Sequence, residues 1–235
     1  MSKISKMIIP METDHFTARA YETRAEWLAA RQQTIGASDV PIILGLTPPS
    51  WGSAADVWES KVSPPPDDDS TDNADVSRGT MSESHIRELF RIETGLVVLD
   101  GTGIIFTSKK YPWLSCSLDA ILLDDKGDIV PVEIKSVRYT KKWAGEDIPI
   151  YYIYQMAVHL MVTGARREVF LPRIIYDFAY AADPIEKAAS ATKRERPALI
   201  RRKDLSGQFA GIARTTKKFM RYVTRKERPL PTIKF

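Results

Sequence analysis

The sequence predicts an α/β domain in which helices flank a mixed β-sheet. Amphipathic helical patterns occupy the first part of the chain. Short runs rich in Val, Ile, Leu and Phe follow between residues 96 and 136, and a helix and another strand-like run come next. A length of 235 residues with 43% hydrophobic content is enough for one domain with a sizeable core. We therefore predict a single domain over residues 1–235.

The first part of the chain is predicted to contain three helices. Apolar residues recur at helical spacing over 22–33, 53–61 and 81–93. Ser38 is placed to cap a further short helix. Residues 63–77 are rich in Pro and Asp and lack apolar periodicity, which predicts a mobile surface loop.

The remainder is predicted to alternate strands with helices. A helix at 150–163 ends at Gly164, and a strand at 168–175 follows, in which Pro172 indicates a bulge or a sheet edge. The last predicted helix covers about 206–226. Four earlier segments, bounded by Gly and Asp, have the composition of strands: 96–99, 103–107, 114–123 and 129–136.

Composition excludes several kinds of site. The single cysteine, Cys116, excludes an internal disulfide, and the three histidines lack a metal-binding spacing, so His159 is expected to pack against the sheet. No apolar run approaches the ~18 residues of a transmembrane helix, and the N-terminus lacks a signal-peptide pattern. We expect a soluble, cytoplasmic protein without membrane contact.

Charge is unevenly distributed along the chain. Residues 185–235 hold 15 Lys and Arg against 4 Asp and Glu, whereas residues 1–184 hold 19 against 26. A basic segment on an acidic body favours contact with a polyanion such as DNA. The alternatives are a solvated tail and a docking surface for a partner protein or a neighbouring subunit.

The most informative stretch is 114–136, in which two strand-like runs flank the turn sequence DDKGD. A hairpin that turns about Lys126 places Asp119 opposite Glu133, with β-carbons about 4.5–5.5 Å apart. Lys135 follows two residues later and shares the face of Glu133. Two carboxylates and an amine are therefore predicted to lie together on an otherwise apolar hairpin.

This group of charges has two explanations. The first is a cross-strand ion cluster, in which Lys135 offsets carboxylates that repel each other by about 1 kcal/mol in water and ~4 kcal/mol at a dielectric constant near 20. The second is a site for a hard cation such as Mg²⁺, which one or two carboxylates hold together with waters and phosphate. Glu83 lies on the buried stripe of its helix and is a third candidate ligand, although it also fits a capping box with Thr80.

The pattern Asp119-x13-Glu133-Ile-Lys135 resembles the Asp…Glu-x-Lys core of the PD-(D/E)XK nuclease superfamily. Further motifs, in the right order over about residues 24–170, resemble the branch that contains lambda exonuclease and the YqaJ-type viral recombinases. Leu118, Ala37 and Ala120 depart from the usual residues of that branch but remove no ligand. The matching motifs are RQQTIGASD with Arg31 and Ser38, Gly79-x3-Glu83, WLSCSLD ending at Asp119, and Trp143, Pro149, Tyr152, Gln155 and Gly164.

The resemblance implies a restriction-endonuclease-like PD-(D/E)XK core at about 24–175, with a mixed central β-sheet flanked by helices, and a basic C-terminal helical segment at about 183–235. It implies that Asp119, Glu133 and Lys135 are catalytic, with Lys135 positioning the attacking water. It also implies a Mg²⁺ site, in which Mn²⁺ can substitute, formed by Glu83, Asp119, Glu133 and the carbonyl of Ile134.

The resemblance further implies that Arg31 and Ser38 grip DNA phosphate, including a 5′-phosphate, and that Gln155 contacts the active site or the DNA backbone. A helix start and an arginine fork suit such an anion.

The implied activity is that of an exonuclease acting in a bacterial or phage-infected cell. It would degrade the 5′-ended strand of linear double-stranded DNA and leave a 3′ single strand for a phage-type annealing protein. A homotrimer is implied as well. Two alternatives stay open: a PD-(D/E)XK endonuclease or repair nuclease, and a non-catalytic DNA-binding adaptor with a nuclease fold.

Overall fold

The computed structural model describes residues 9–64, 74–138, 148–175 and 197–229. In chain order, the elements are β1 (Phe16–Ala20), α1 (Arg24–Gln32), β2 (Ile35–Gly36), α2 (Asp39–Ile43), a 3₁₀ turn (Pro49–Trp51), α3 (Ala54–Val62), α4 (Ala74–Thr94), β3 (Leu99–Asp100), β4 (Ile104–Ser108), β5 (Leu114–Cys116), β6 (Ala120–Leu123), β7 (Ile129–Arg138), α5 (Ile150–Thr163), β8 (Arg167–Ile175), β9 (Ala198–Arg201) and α6 (Arg202–Arg225).

The strands form two mixed sheets. The first has the order β1-β4-β5-β2 and the second the order β3-β6-β7-β8-β9. β2 runs parallel to β5 and β7 runs parallel to β8, whereas the other neighbours are antiparallel. The predicted α/β class with flanking helices is confirmed, but the strands belong to two sheets rather than one central sheet.

The prediction of one strand over 114–123 is wrong, because the segment divides into β5 and β6, which lie in different sheets. At the division the carbonyl of Leu118 turns against Gly101, where a β-carbon would clash with the oxygen. The side chain of Asp119 then accepts a hydrogen bond of 2.8 Å from the backbone N–H of Ile134. A carboxylate thus replaces the carbonyl that a longer β6–β7 ladder would supply.

Helix α4 begins at Ala74, earlier than the predicted start at residue 81. The end of the predicted loop at 63–77 is therefore helical, and residues 65–73 lie outside the described residues. Because the helix runs through position 80, Thr80 cannot be its N-cap residue, and the capping-box explanation of Glu83 is wrong.

The remaining predicted helices agree with the structure to within about four residues, and α5 ends as predicted at Gly164, which has a left-handed backbone (φ 74°). The short strands β1, β2 and β9 were not predicted. Among the described residues, β9 pairs with Arg167–Phe170 only, so Pro172 lies beyond the reach of β9, as expected for a sheet-edge position.

The second sheet is covered by α4 on one face and α5 on the other. Val132 and Ile134 of β7 pack with Ile86 and Phe90 of α4. Glu133, between them in sequence, faces α5, where it meets His159. Strand alternation therefore sends Val132 and Ile134 to the α4 side of the sheet and Glu133 and Lys135 to the α5 side.

Helix α6 is amphipathic along its whole length. Its buried residues include Leu205, Ile212, Phe219 and Val223. The opposite side exposes Arg214, Lys217, Lys218, Arg221 and Arg225, and we refer to these five residues as the basic face of α6. In the part of the chain that the structure describes, no helix combines the length and apolarity needed to cross a membrane.

Candidate active site

The hairpin of β6 and β7 has the predicted register. Ala120 lies opposite Val132 and Leu123 lies opposite Ile129, as a turn about Lys126 requires. Asp119 and Glu133 lie one step beyond the pair of Ala120 and Val132. The two carboxylates predicted to be neighbours therefore occupy adjacent positions where β6 begins.

Glu133 and Lys135 form a close ion pair on the α5 face of β7. Oε1 of Glu133 lies 2.5 Å from Nζ of Lys135, and the side chain of Glu133 is 1% exposed, against 22% for Lys135. Nζ also lies 5.3 Å from the ring centroid of Tyr152 on α5. The amine is thus anchored by a buried carboxylate, while part of the Lys135 side chain remains open to solvent.

Glu83 belongs to the same site. Burial raises the pKa of its carboxyl group, while its charge interacts with Lys135, which lowers that pKa, and with Glu133, which raises it. The charge of Glu83 on α4 therefore acts on the same residues as the charge of Asp119. That Glu83 is a third metal ligand stays a prediction.

The carboxylates and the amine shift one another's pKa values strongly. Burial, followed by the charge of Glu133, raises the pKa of Asp119 to about 8. Burial works to lower the pKa of Lys135, but Glu133 and Asp119 outweigh it and raise that pKa above its ordinary value. The site therefore concentrates carboxyl groups, whose repulsion Lys135 and Arg87 offset only in part.

These residues fit a hard divalent cation. Their donors are carboxylate oxygens, which Mg²⁺ and Mn²⁺ prefer, and the charges of Glu133 and Glu83 both act on the carboxyl group of Asp119. A cation between them would favour the ionised form of Asp119 and offset the repulsion that raises its pKa. In the alternative of a plain ion cluster, a proton on Asp119 relieves this repulsion at neutral pH, because its pKa is about 8.

A second polar cluster behind Glu133 was not predicted. His159 of α5 packs against the sheet as expected, but its Nδ1 lies 2.6 Å from Oε1 of Glu168 on β8 and 3.7 Å from Oε2 of Glu133. One ligand atom from each of these three buried residues lies within 4.8 Å of the others, a spacing that could hold a metal ion. The available sequence signal was a glutamate in the apolar strand EVFLP.

Charge on His159 and Glu168 is set by their mutual contact. Burial works against the charged form of His159, but the carboxylates of Glu168 and Glu133 outweigh it and raise its pKa to about 9. Burial raises the pKa of Glu168 to about 7, and His159 opposes that shift.

The structure brings Arg31 and Ser38 together, as the sequence motif predicted. Nη2 of Arg31 donates a hydrogen bond of 3.2 Å to the hydroxyl of Ser38, and its guanidinium lies 4.6 Å from the ring centroid of Trp27. Ser38 is the N-cap residue of α2, as predicted, but its side chain makes no capping hydrogen bond to the helix backbone. Its hydroxyl is therefore available to Arg31 and to a ligand beside it.

A buried ion pair supports Arg31 from below. Oδ2 of Asp39 lies 2.7 Å from Nζ of Lys61 and accepts a hydrogen bond of 2.8 Å from the backbone N–H of Gly36. Nζ of Lys61 also donates to the carbonyl of Arg31, at 2.9 Å. Burial works to raise the pKa of Asp39, but Lys61 and Arg31 outweigh it and hold the pKa below its usual value.

Three further residues singled out in the sequence are Gln155, Trp143 and Cys116. Gln155 is half-buried on α5, one helical turn before His159. Trp143 lies outside the described residues. Cys116 is buried on β5, as predicted, and burial raises the pKa of its thiol, so it is a poor nucleophile.

Comparison with known sequences identifies a family. Residues 26–166 match the sequence profile of the YqaJ-like viral recombinase domain. Protein YqaJ of Bacillus subtilis (strain 168) is 30% identical over 142 residues, which are 60% of this chain and 43% of that protein. The match thus spans less than half the length of the curated relative.

Two solved structures have a similar fold. An alkaline exonuclease from Laribacter hongkongensis, LHK-Exo, gives a TM-score of 0.61 at 22% sequence identity, over 86% of this chain and 93% of that chain. A phage related exonuclease from Haemophilus somnus 129PT gives a TM-score of 0.57 at 10% identity, over 82% of this chain and 96% of that chain. The architecture of the chain is therefore that of these nucleases.

Proposed function

The chain belongs to the YqaJ-like viral recombinase domain family, and we propose that it is a Mg²⁺-dependent deoxyribonuclease. The proposed reaction is stepwise hydrolysis of phosphodiester bonds from the 5′ end of linear double-stranded DNA, which leaves a 3′ single strand. The observation that carries the proposal is the ion pair of Glu133 and Lys135, next to Asp119 at the open end of the hairpin.

The metal-binding residues of the proposal are Asp119, Glu133, Glu83 and the carbonyl of Ile134. When bound there, Mg²⁺ lowers the pKa of a coordinated water, shields the charge of the phosphate and steadies the leaving oxygen. Mn²⁺ accepts the same oxygen ligands and is expected to substitute.

Lys135 is proposed to position the attacking water. An ammonium group has three N–H donors, and the contact of 2.5 Å with Oε1 of Glu133 takes one of them. The remaining donors can therefore hold a water or a phosphate oxygen. The neighbouring carboxylates keep the amine protonated by raising its pKa, so it acts as a charged donor.

Arg31 and Ser38 are proposed to bind the 5′-phosphate. The planar fork of Arg31 and the adjacent hydroxyl match the geometry of a phosphate group. α2, which begins just after Ser38, packs against α5, the helix that also covers Glu133. Gln155, on α5, is proposed as a contact to the active site or to the DNA backbone.

The basic face of α6 is proposed to contact the DNA backbone without regard to sequence. It presents five cations along one side of a helix, and α6 has no acidic residue after Asp204. A homotrimer and a single-strand annealing protein as partner belong to the same proposal, by analogy with the family.

End-labelled DNA tests the proposed function. With Mg²⁺, a linear duplex labelled at one 5′ end should release labelled mononucleotides at once, and EDTA or Asp119→Asn should abolish the release. A duplex with a 5′-hydroxyl end should be a poorer substrate, and Arg31→Gln should remove the difference between the two ends.

Two results would contradict the proposed function. Cleavage of closed circular DNA at the same rate would favour an endonuclease. Binding of DNA in EDTA, without cleavage in Mg²⁺ or Mn²⁺, would favour a non-catalytic adaptor.

A further inference from the structure

A row of aromatic rings leads from Lys135 to the protein surface. Tyr152 lies under Nζ of Lys135, and its ring centroid is 4.5 Å from that of Tyr151. Tyr151 in turn lies 5.0 Å from Trp51, which belongs to the 3₁₀ turn that precedes α3. Nζ of Lys135 lies 5.3 Å from the ring centroid of Tyr152, which lies 6.4 Å from that of Trp51. The Trp51 ring is therefore within about 12 Å of the amine.

Trp51 is only half covered by this row. It is 49% exposed, although the two tyrosines pack on one side of it. Exposed tryptophan is uncommon on a surface that has no partner, because its large apolar ring gains most from burial. The uncovered part of the indole is large enough to receive another flat ring.

We propose that Trp51 is a stacking platform for a nucleobase of the DNA strand near the scissile phosphate. The inference rests on the proposed function, since it takes Lys135 as the mark of the reacting phosphate. Successive nucleotides rise about 3.4 Å along a strand, so a base within a few nucleotides of that phosphate can reach the ring. Stacking on an aromatic face tolerates any base, as a sequence-independent enzyme requires.

A DNA substrate that lacks a single base provides the test. An abasic nucleotide is moved stepwise along the strand from the 5′ end, and binding of the full-length protein is measured in EDTA, where no cleavage occurs. At one position the abasic change should weaken binding of the wild type about fivefold or more, and Trp51→Ala should weaken binding of intact DNA by a similar factor. The two changes together should cost no more than either alone.

Two matched variants separate stacking from folding. Trp51→Phe keeps an aromatic face and should recover most of the affinity, whereas Leu199→Ala, which truncates another exposed apolar side chain on β9, should leave binding unchanged. The proposal would be overturned if the abasic change and Trp51→Ala reduced the DNA affinity independently at every abasic position. Native DNA affinity in Trp51→Ala would overturn it as well. Because binding in EDTA needs no turnover, a protein that binds DNA and never cuts it fails the proposed function but leaves this test intact.

A second inference comes from the buried polar cluster behind Glu133. His159 and Glu168 are 1% and 0% exposed, and α5 and β8 hold them 2.6 Å apart. Among the described residues, Nε2 of His159 and Oε2 of Glu168 have no hydrogen-bond partner. Leaving such groups buried is unfavourable, so this cluster needs an explanation beyond packing.

We propose that His159, held by Glu168, is a positioning residue that fixes the orientation of Glu133 from behind. Nδ1 faces Oε2 of Glu133 at 3.7 Å, while Lys135 holds Oε1 from the opposite side. The carboxylate of Glu133 thus has Lys135 beside one oxygen and the imidazole of His159 beside the other. This inference also rests on the proposed function, in which Glu133 is a metal ligand, and groups behind a ligand commonly set its orientation.

Manganese affinity of the DNA-free protein, measured by electron paramagnetic resonance, tests this role. His159→Phe should weaken Mn²⁺ binding about tenfold or more, and Glu168→Gln, whose amide oxygen can still accept from Nδ1, should weaken it less. Thr163→Val is the matched control, because it removes a buried hydroxyl from α5 that touches only the carbonyl of His159 and a backbone N–H. It should leave the affinity unchanged.

Equal or tighter Mn²⁺ affinity in folded His159→Phe would overturn a positioning role, because removal of a group that orients a metal ligand should weaken the site. A second Mn²⁺ ion in the wild type that is lost in His159→Phe would also overturn it, since the cluster would then be a metal site. The measurement uses neither DNA nor turnover, so it stays distinct from a failure of the proposed nuclease activity.

Discussion

Lys135 has a protonated amine because of the side chains around it. It shares a cavity with Glu133 and Asp119, whose charges outweigh the effect of burial on its pKa. In the proposed mechanism the amine holds the attacking water, while the carboxylates hold the ion. Its contribution should therefore appear in the rate of hydrolysis rather than in the affinity for DNA.

Replacement of Lys135 by alanine tests this division of roles. We expect the rate of nucleotide release to fall by about 10²–10⁴-fold, as for other groups that manage a proton or a nucleophile. Binding of duplex DNA in EDTA should change little. Near-native release by folded Lys135→Ala would remove the proposed mechanism.

Asp39 gives a prediction about acid stability. Its pKa is lower in the folded protein than in the unfolded chain, because Lys61 and Arg31 outweigh burial. The ionised group therefore adds stability that is fully present above the unfolded-state pKa of about 4 and is lost as the pH falls towards the folded-state pKa. Asp39→Asn should lower the free energy of unfolding by about 3 kcal/mol at pH 7, as expected for a broken buried ion pair, and by less at pH 3.

Urea denaturation at the two pH values measures this difference. The double variant Asp39→Asn/Lys61→Met, which leaves no unpaired buried charge, should recover part of the loss at pH 7. If Asp39→Asn lowered the free energy of unfolding equally at pH 7 and pH 3, the ionised carboxylate would contribute nothing to stability.

At the residue level, the sequence predicted the site only where local geometry determines it. Asp119, Glu133 and Lys135 followed from strand alternation and one turn, and the structure has that register. The contact of His159 with Glu168 depends on how α5 packs across β8, which no local period encodes. Arg31 and Ser38 were paired from a motif, but the hydroxyl bonds the guanidinium rather than capping α2.

At the level of elements, α6 separates an apolar side from a cationic side. Phe219 and Val223 are buried, whereas Arg214, Arg221 and Arg225 are exposed on the other side. Closely spaced like charges repel one another, so a polyanion that covers them is favoured. The basic face should therefore contribute a salt-dependent part of DNA binding.

The variant Arg214→Gln/Arg221→Gln tests the basic face. For each DNA phosphate that the variant no longer neutralises, the slope of log affinity against log salt concentration should become shallower by about 0.9 on duplex DNA. Arg19→Gln/Lys126→Gln makes the same change in net charge at exposed positions on β1 and in the hairpin turn, and should leave the slope near its native value. Equal slopes for the two variants would show that α6 does not meet DNA.

Element boundaries were predictable where sequence signals are strong and local. Gly164 ends α5 as expected, since its left-handed backbone favours glycine. The break between β5 and β6 was not predictable, because it depends on a side chain of one strand bonding the backbone of another. β2 has two residues and β9 has four, which is too short for a periodic pattern.

At the level of the whole molecule, the two sheets and the helices between them bring the charged groups into one region. α5 packs against β7 and β8 of the second sheet and against β4 and β5 of the first. It therefore connects the sheet that carries Glu133 to the other sheet. The sequence predicted the α/β class from the order of its patterns. It could not predict two sheets instead of one, since sheet membership depends on contacts between distant strands.

The central claim is that Asp119 and Glu133 hold a hard cation beside Lys135. Anomalous X-ray scattering from crystals soaked in Mn²⁺ tests it most directly, because it locates the ion. The account predicts a peak between the carboxylates of Asp119 and Glu133, near the carbonyl of Ile134, that disappears in Asp119→Asn. A peak held by Glu133, His159 and Glu168 alone, or none within reach of Asp119, would contradict the account.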